Sequence, residues 1–253
     1  MIFITSWDDG HPFDLRLADM LIRWGIKGTF FIPIKNSEGL NVMTVQQIRE
    51  IDKIHEIGSH TLNHTYLNNV NKANCISEVV EGKNRLENIV GHEINGFCYP
   101  GGAWNSHIRN VVIEAGFKYA RTIENFHTKK FSDPFALPTT CQFYPHKKII
   151  LNWNFLKWGS YSLRYENSKI LTKSKDWLEN IINIIKINIE GDDVIHIWGH
   201  SWEVDKLNLW NELEFLFKEL SYQNVRCMTI IEYIEYIELK NIFRKKNEYI
   251  NHT

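Results

Sequence analysis

Short segments of high β-propensity alternate with amphipathic helical segments along most of this chain. The first strand begins at Ile2 and precedes a helical segment that ends near Gly25; a strand at 28–32 then precedes a helix capped by Thr44. Because connecting helices return the chain to the same edge of a sheet, this alternation predicts a parallel sheet covered by helices. The length of 253 residues suits a single α/β barrel.

The remaining elements follow the same alternation, except in the middle of the chain. Residues 124–167 are rich in proline, lysine and aromatic residues, and their pattern predicts loops with one strand at 149–155. We predict one domain over residues 1–240 and a polar, frayed tail over residues 241–253. Further strands are predicted at 56–59, 95–99, 117–123, 193–198 and 225–228, and further helices at 71–90, 106–115, 171–189, 207–220 and 229–239.

The positions of the polar residues favour closing the sheet into a barrel. Asp8 and Asp9 follow the first strand. His60 follows the third strand, and His200 follows the strand at 193–198. Barrel enzymes place their catalytic side chains at the carboxyl ends of several different strands in this way. No glycine-rich phosphate loop follows the first strand, which disfavours an open dinucleotide-binding sheet.

The composition excludes several classes of function. A net charge of −1 gives no bulk attraction to nucleic acid or to an anionic membrane. The four cysteines lie far apart, which disfavours a cysteine-based zinc site and suits a reducing compartment. No apolar run approaches the roughly 20 residues of a membrane span, and no cleavable leader precedes the first strand. We expect a cytoplasmic protein if the start is native; the oligomeric state is left open.

Two adjacent carboxylates close the first strand. Asp8 and Asp9 would repel one another if both were charged, so a positive group is expected beside them. Gly10 then allows the chain to turn. A metal ion held by one carboxylate and a reacting proton held by the other would meet this requirement.

His60 and His64 form the second motif. Their spacing predicts that both lie on one face of a helical turn, where neutral imidazoles can bind zinc or a similar metal. With Asp9 they would supply three protein ligands and leave positions open for water and substrate, as in catalytic metal sites. Asp8 could then take the proton of the attacking water.

Two further motifs offer groups that acyl transfer needs. The turn around Gly101 exposes backbone N–H groups that can stabilise an oxyanion, although a simple tight turn is the alternative. His196 and His200 lie on a strand pattern, where residues four apart are separated by roughly 13 Å, too far for one metal ion. His200, at the strand end, is the better candidate for a general acid that protonates a leaving amine.

Together these motifs resemble the polysaccharide deacetylase family, which is the NodB-homology group or family four of the carbohydrate esterases. The similarity follows the family's order and covers most of the chain, from Ile2 to Glu203. It implies a distorted (β/α)7 TIM-like barrel and a single catalytic domain over residues 1–240. The motifs are Ser6-Trp7-Asp8-Asp9-Gly10, Gly58-Ser59-His60-Thr61-Leu62-Asn63-His64, Tyr99-Pro100-Gly101 and His200.

The resemblance also implies a reaction and its participants. The reaction is hydrolysis of an N-acetyl group from an amino sugar of a glycan or glycan precursor. The cofactor is a divalent metal, usually Zn²⁺, with Co²⁺ or Ni²⁺ as substitutes. By motif match, Asp8 is the general base, Asp9, His60 and His64 are the metal ligands, the N–H of Gly101 helps to bind the oxyanion, and His200 is the general acid.

This chain departs from the family pattern in three places. Cys98 stands where family members often carry an arginine that orients the catalytic aspartate, and Arg121 is the candidate replacement. The partner that tunes His200 is not recognisable, so Glu203 and Asp133 are both candidates. The last motif lacks its usual leucine, which keeps His196 as an alternative acid.

Aromatic residues and alternative functions complete the predictions. Tyr99, Trp104 and Trp202 lie beside the motifs and are candidates for binding the sugar, with packing as the alternative. A second hypothesis is a deformylase or deacylase of a nucleotide- or lipid-linked sugar in surface-polysaccharide biosynthesis. A third is an inactive carbohydrate-binding relative, which the absence of an arginine at Cys98 would support.

Overall fold

The computed structural model describes residues 1–131, 133–158, 161–223 and 225–250. The strands are β1 (Ile2–Asp8), β2 (Thr29–Ile32), β3 (Glu56–Ser59), β4 (Gly96–Cys98), β5 (Tyr119–Arg121), β6 (Cys141–Gln142), β7 (Val194–Gly199) and β8 (Arg226–Met228). The helices are α1 (Asp14–Arg23), α2 (Val45–Asp52), α3 (Lys72–Val90), α4 (Ser106–Glu114), α5 (Lys148–Lys157), α6 (Tyr161–Leu171), α7 (Trp177–Asn188), α8 (Ser201–Lys206), α9 (Trp210–Ser221) and α10 (Ile230–Ile250).

β1 is the central strand of a parallel sheet. It pairs with β2 near its carboxyl end, with β7 along most of its length and with β8 near its amino end. The main order is β5-β4-β3-β2-β1-β7-β6. All residues of β1 are buried, as expected for a strand whose sheet is covered on both faces.

A short extended segment joins the two ends of the curled sheet. The N–H of Leu137 donates to the carbonyl of Ala120 at 2.9 Å, and the N–H of Thr122 donates to the carbonyl of Leu137 at 2.9 Å. A few residues later, the N–H of Thr140 donates to the carbonyl of His196 on β7 at 2.8 Å. Strands β1–β7 therefore form a curled barrel, and the predicted distorted (β/α)7 fold is confirmed.

Alternate residues of β1 contribute to two apolar clusters. Phe3 and Trp7 pack in the large cluster that the surrounding helices cover. Ile2 and Ile4 belong to a smaller cluster that includes Tyr233 of α10. Since α10 begins beside the first residue of β2, it covers the amino ends of the strands and leaves the carboxyl ends for a site.

The middle of the chain differs from the prediction. Residues 149–155 lie in helix α5, so the predicted strand there is wrong, and the strand of this region is β6 instead. The predicted helix at 171–189 is α7 alone, because Asp176 caps a new helix with its carboxylate. Leu171 is the last residue of α6, and residues 172–176 connect α6 to α7.

The carboxyl-terminal part also differs in detail. Helix α8 immediately follows His200 and was not predicted, and α10 continues beyond residue 239 into the predicted tail. Residues 251–253 of that tail lie outside the described residues. Within the described ranges, no helix has an apolar stretch long enough to cross a bilayer.

Candidate metal and catalytic site

The predicted site residues meet at the carboxyl edge of the sheet. Asp8 is the last residue of β1, and Asp9 follows it. His60 follows β3 and His200 follows β7. Because parallel strands end at one edge, residues that are about 190 positions apart lie within a few ångströms: Asp9 Oδ2 is 3.9 Å from Nε2 of His200.

Asp9 is held in an unusual backbone conformation. Its φ is +77°, a left-handed value that aspartate tolerates better than most residues but that indicates local constraint. Gly10 follows with φ +59°, and a Cβ there would lie 2.6 Å from Cγ2 of Ile32. The indole N–H of Trp202 donates to Oδ2 of Asp9 at 2.8 Å, which leaves Oδ1 for another partner.

Two imidazoles approach that remaining oxygen. Nε2 of His64 lies 3.0 Å and Nε2 of His60 lies 3.8 Å from Oδ1 of Asp9. The buried Oδ1 of Asp9 nevertheless has no hydrogen-bond partner among the described residues. Donor atoms of Asp9, His60 and His64 all lie within 4.8 Å of one another, so this set fits one divalent ion.

The surroundings of His60 prepare its ring as a ligand. Its Nδ1–H donates to the carbonyl of Cys98 at 2.8 Å, which leaves the lone pair of Nε2 directed elsewhere. Burial lowers the pKa of His60 to about 4, although Asp8 and Asp9 oppose this effect. The ring is therefore neutral near pH 7, which is the form that binds a metal.

The loop that carries both histidines is a turn and not a helical turn, so that part of the prediction is wrong. Thr61 and His64 have φ values of +67° and +55°, which no α-helix contains. Glu78 of α3 accepts hydrogen bonds from the backbone N–H of Asn63 at 2.9 Å and from its side-chain amide at 2.7 Å. The imidazoles converge because α3 fixes this turn.

Asp8 pairs with Arg121. The guanidinium donates to both carboxylate oxygens of Asp8. Arg121 is fully buried and lies between the rings of Phe31 and Trp198, at 5.3 and 4.9 Å from their centroids. Burial raises the pKa of Asp8, but the charges of Arg121 and His60 and the hydrogen bond from Arg121 lower it below its usual value. Asp8 is therefore an ionised base.

A second donor set overlaps the first. Asp8, His60 and Cys98 also lie within 4.8 Å of one another. Burial raises the pKa of the Cys98 thiol well above its usual value, so the thiolate that binds metals is disfavoured. The ion pair with Arg121 further competes for the Asp8 oxygens. The set of Asp9, His60 and His64 is chemically the better metal site.

His200 has a carboxylate partner in the next helical turn. Its Nδ1–H donates to Oε2 of Glu203 at 2.6 Å, which leaves Nε2 on the side of Asp9. Burial lowers the pKa of His200, but the hydrogen bond to Glu203 and the charges of Asp9 and Asp8 raise it to about 9. The ring therefore carries a proton near pH 7. Asp133, the other candidate partner, forms an ion pair with Arg109.

The alternative acid His196 lies in the core. Its Nε2 is 2.8 Å from the hydroxyl of Ser6, and burial lowers its pKa to about 3. A ring that is neutral near pH 7 has no proton to give as a cationic acid.

The remaining predicted residues are placed around the turn after β4. Gly101 has φ +61°, and its N–H forms no hydrogen bond within the described ranges. Tyr66 packs edge-on to His64 and lies where a Cβ on Gly101 would be, so this turn adjoins the metal ligands. Tyr99 is fully buried, donates its hydroxyl to the carbonyl of Phe135 and stacks on Trp104. The Tyr99 side chain therefore belongs to the core.

Sequence reasoning missed two groups near the site. Asp14, the first residue of α1, is fully buried, and neither of its oxygens has a hydrogen-bond partner among the described residues. Gln142, at the end of β6, donates to Glu203 at 2.9 Å and accepts from His146 at 2.8 Å. Asp14 is the first residue of α1, where an acidic side chain stabilises the helix dipole. Its presence there therefore gave no reason to assign it to the site.

Comparison with known proteins shows similarity to deacetylases of polysaccharides. The model of the polysaccharide deacetylase family matches residues 1–120. A peptidoglycan-N-acetylglucosamine deacetylase of Bacillus cereus is 23% identical over 241 residues, which cover 93% of this chain and 89% of that protein. The amino-terminal 120 residues are therefore similar to the polysaccharide deacetylase family.

Solved structures share the fold of this chain. The peptidoglycan deacetylase PdaC of Bacillus subtilis is 14% identical, with a TM-score of 0.60 over 98% of this chain and 96% of that one. A family 4 acetyl xylan esterase from Clostridium thermocellum, solved in complex with a cobalt ion, is 14% identical, with a TM-score of 0.57 over 92% of this chain and 89% of that one.

Proposed function

We propose that this protein is a member of the polysaccharide deacetylase family, a metal-dependent hydrolase that removes the N-acetyl group from an amino sugar of a glycan or glycan precursor. The observation that carries the proposal is the convergence of Asp9, His60 and His64 on one point. Asp8, which pairs with Arg121, and His200, which pairs with Glu203, lie beside them. Metal-dependent hydrolysis of an amide uses these three functions, which are a Lewis acid, a base and an acid.

Asp9, His60 and His64 would hold the metal ion, which we propose to be Zn²⁺, with Co²⁺ or Ni²⁺ as substitutes. When bound, such an ion polarises an acyl oxygen and acidifies a water molecule. Trp202 holds the second oxygen of Asp9, and the carbonyl of Cys98 fixes the ring of His60, so the ligands are oriented before a metal arrives.

The proton transfers fall to Asp8 and His200. Asp8 takes the proton of the water that attacks the acyl carbon, and Arg121 keeps it ionised and oriented. His200 gives its proton to the leaving nitrogen as the C–N bond breaks, which yields acetate and a free amine. The N–H of Gly101 stabilises the oxygen that gains negative charge.

The Arg121–Asp8 pair favours an enzyme over an inactive relative. An inactive protein was suggested by Cys98, which stands where an orienting arginine is expected. Arg121 comes from the next strand and reaches the same carboxylate. The deformylase alternative uses the same residues, and comparing formate with acetate release distinguishes the two reactions.

Replacing the base tests the mechanism. We expect Asp8→Asn to lower acetate release from tri-N-acetylchitotriose by about 10²–10⁴-fold, the usual contribution of a general base. The variant should keep one equivalent of zinc, measured by atomic absorption. Acetate release near the wild-type rate would contradict the assigned role. A variant without zinc would place Asp8 among the ligands instead.

A further inference from the structure

The carboxylate of Glu203 accepts two hydrogen bonds on the same oxygen. Oε2 lies 2.6 Å from Nδ1 of His200 and 2.9 Å from the side-chain amide nitrogen of Gln142. The ion pair with His200 is the only one that Glu203 forms within the described ranges. Gln142 is therefore the second group that fixes the direction of this carboxylate, and it does so from a different strand.

Gln142 reaches the catalytic acid because of where β6 ends. β6 lies beside β7 in parallel, and Gln142 is the register partner of Trp198, two residues before His200. The N–H of Phe143 then donates to the carbonyl of Trp198 at 2.7 Å. Since neighbouring parallel strands end at one edge of the sheet, this pairing brings the amide of Gln142 to the carboxylate of Glu203.

His146 sets the direction of the Gln142 amide. An ionised carboxylate only accepts hydrogen bonds, so the NH₂ group of Gln142 must face Glu203 and the amide oxygen must face away. That oxygen lies 2.8 Å from Nε2 of His146, which therefore carries the proton. Burial lowers the pKa of His146, although the charge of Glu203 opposes this effect, so the ring is neutral near pH 7.

Two tight turns bring His146 back to Gln142. The N–H of Tyr144 donates to the carbonyl of Gln142 at 2.9 Å, and the N–H of His146 donates to the carbonyl of Tyr144 at 2.8 Å. Each of these hydrogen bonds closes a three-residue turn. The rings of Tyr144 and His146 also pack together, with their centroids 4.6 Å apart. The imidazole is therefore held in place by the backbone that follows β6.

A neutral donor suits the position of Gln142. An arginine or lysine there would offset the negative charge that His200 uses, whereas an amide orients the carboxylate and leaves its charge in place. Glu203 also has a competing partner, because Lys206 lies three residues later on α8 and is exposed. Glutamate and lysine at this spacing attract one another on a helix. The hydrogen bond from Gln142 therefore favours the pair with His200 over a pair with Lys206.

We propose that Gln142 is a positioning residue of the reaction, which holds the carboxylate of Glu203 against His200. His146 in turn holds the amide of Gln142. This inference rests on the proposed function, in which His200 protonates the leaving nitrogen. Among the described residues, neither Gln142 nor His146 forms a hydrogen bond or an ion pair with a metal ligand. Their effect on the reaction must therefore pass through Glu203.

Kinetics of two variants of the zinc-loaded protein test this role. Gln142→Met keeps the length of the side chain and removes its amide, and His146→Phe leaves Gln142 in place without its donor. We expect kcat for acetate release from tri-N-acetylchitotriose to fall about tenfold in Gln142→Met, the scale of one hydrogen bond to a charged group, and about threefold in His146→Phe. KM should not change in either variant. Gln46→Met, at an exposed position of α2, is the matched control and should behave as wild type.

A double variant separates positioning from packing. Gln142→Met combined with Glu203→Gln should have the kcat of Glu203→Gln alone, because Gln142 then has no carboxylate left to hold. If the two losses multiply, or if KM rises in Gln142→Met, this residue acts by another route and the proposal is overturned.

The hydrogen bond can also be observed without turnover. In zinc-loaded protein labelled with nitrogen-15 at histidine, Nδ1–H of His200 should give a proton resonance far downfield, because its hydrogen bond to a carboxylate is short. Loss of that resonance in Glu203→Gln assigns it. We expect the resonance to move upfield or to vanish by exchange with water in Gln142→Met, and to persist in Gln46→Met.

The two measurements distinguish this inference from the reaction on which it rests. If the resonance changes as expected but wild type releases no acetate, the proposed reaction is wrong and the positioning of Glu203 stands. If wild type releases acetate and Gln142→Met matches it in kcat and in the resonance, the positioning is wrong and the reaction stands. Should Gln142→Met not fold, His146→Phe decides alone, and an unchanged resonance and kcat in that variant would overturn the proposal.

Discussion

At the scale of single residues, the site separates groups that titrate in opposite directions. Asp8 is kept ionised by Arg121, whereas His200 is kept protonated by Glu203. A base and an acid that are both ready near pH 7 are what amide hydrolysis requires. The two carboxylates at the end of β1 are therefore not equivalent, because Asp8 faces a guanidinium and Asp9 faces imidazoles.

Replacing Glu203 should move the pH dependence of the rate. His200 can donate a proton only below its pKa, so kcat should fall as the pH rises through that value, which is about 9 with Glu203 in place. In Glu203→Gln the pKa should drop by about one unit or more, so the alkaline limb of kcat should begin at lower pH. Glu190→Gln, at an exposed position, serves as the control. An alkaline limb that does not move would contradict the assignment.

Asp14 gives a test of stability against pH. Burial raises its pKa well above 3.8, and the charges of Asp9 and Asp8 add to the effect, while the charge of His200 opposes it. Because the folded protein holds this proton more tightly than the unfolded chain, stability is lost as the pH rises from about 4 through the raised pKa. Asp14→Asn, which mimics the neutral acid, should show a higher Tm than wild type at pH 8 and the same Tm near pH 3.5.

The matched control for that experiment lies on the same helix. Asp19 of α1 is exposed, so Asp19→Asn should change the Tm equally at both pH values. If Asp14→Asn lowers the Tm at pH 8, the carboxylate is charged in the folded protein and the account of its burial is wrong.

The sequence predicted the residues of the site better than their contacts. Asp8, Asp9, His60 and His200 could be placed together because parallel strands end at one edge. Arg121 could only be suggested, since its contact with Asp8 depends on how far β5 extends beside β4. The hydrogen bond from Trp202 to Asp9 joins residues 193 positions apart, and no local pattern predicts it.

At the scale of elements, the turn after β3 owes its shape to α3. Glu78 binds Asn63 through two hydrogen bonds, and close packing at Gly82 leaves no room for a Cβ against Thr61. We expect Glu78→Gln to weaken zinc binding by about 10–100-fold, the usual effect of losing support behind a ligand. Competition with a chelator measures this affinity.

A neighbouring carboxylate provides the control for the loop. Glu81 lies one turn away on α3, is exposed and accepts a hydrogen bond from Ser77. Glu81→Gln should bind zinc as wild type does. Equal affinities in the two variants would show that the turn is held without Glu78.

The helices of the middle region show why the sequence pattern failed there. Four of the six apolar residues of α5 are exposed, and only Leu151 and Phe155 pack against the core, so their spacing does not report which face of the helix is buried. A short run of such residues can be assigned to a strand or to a helix, and the prediction chose the strand. β6 itself has only two residues, which is too short for any periodic signal.

At the scale of the whole molecule, closure of the barrel depends on a segment without regular structure. Leu137 and Thr140 complete the hydrogen bonding of β5 and β7 across the gap in the sheet. The alternation of strands and helices predicted the parallel sheet, because it is a local property repeated along the chain. The bridging segment follows from long-range pairing, so its place was not predictable from pattern alone.

The central claim is that Asp9, His60 and His64 hold the catalytic metal, and diffraction at a metal absorption edge tests it most directly. Crystals grown with zinc should give one anomalous peak between Oδ1 of Asp9 and the Nε2 atoms of His60 and His64. A peak between Asp8, His60 and Cys98, or no peak in either position, would contradict it.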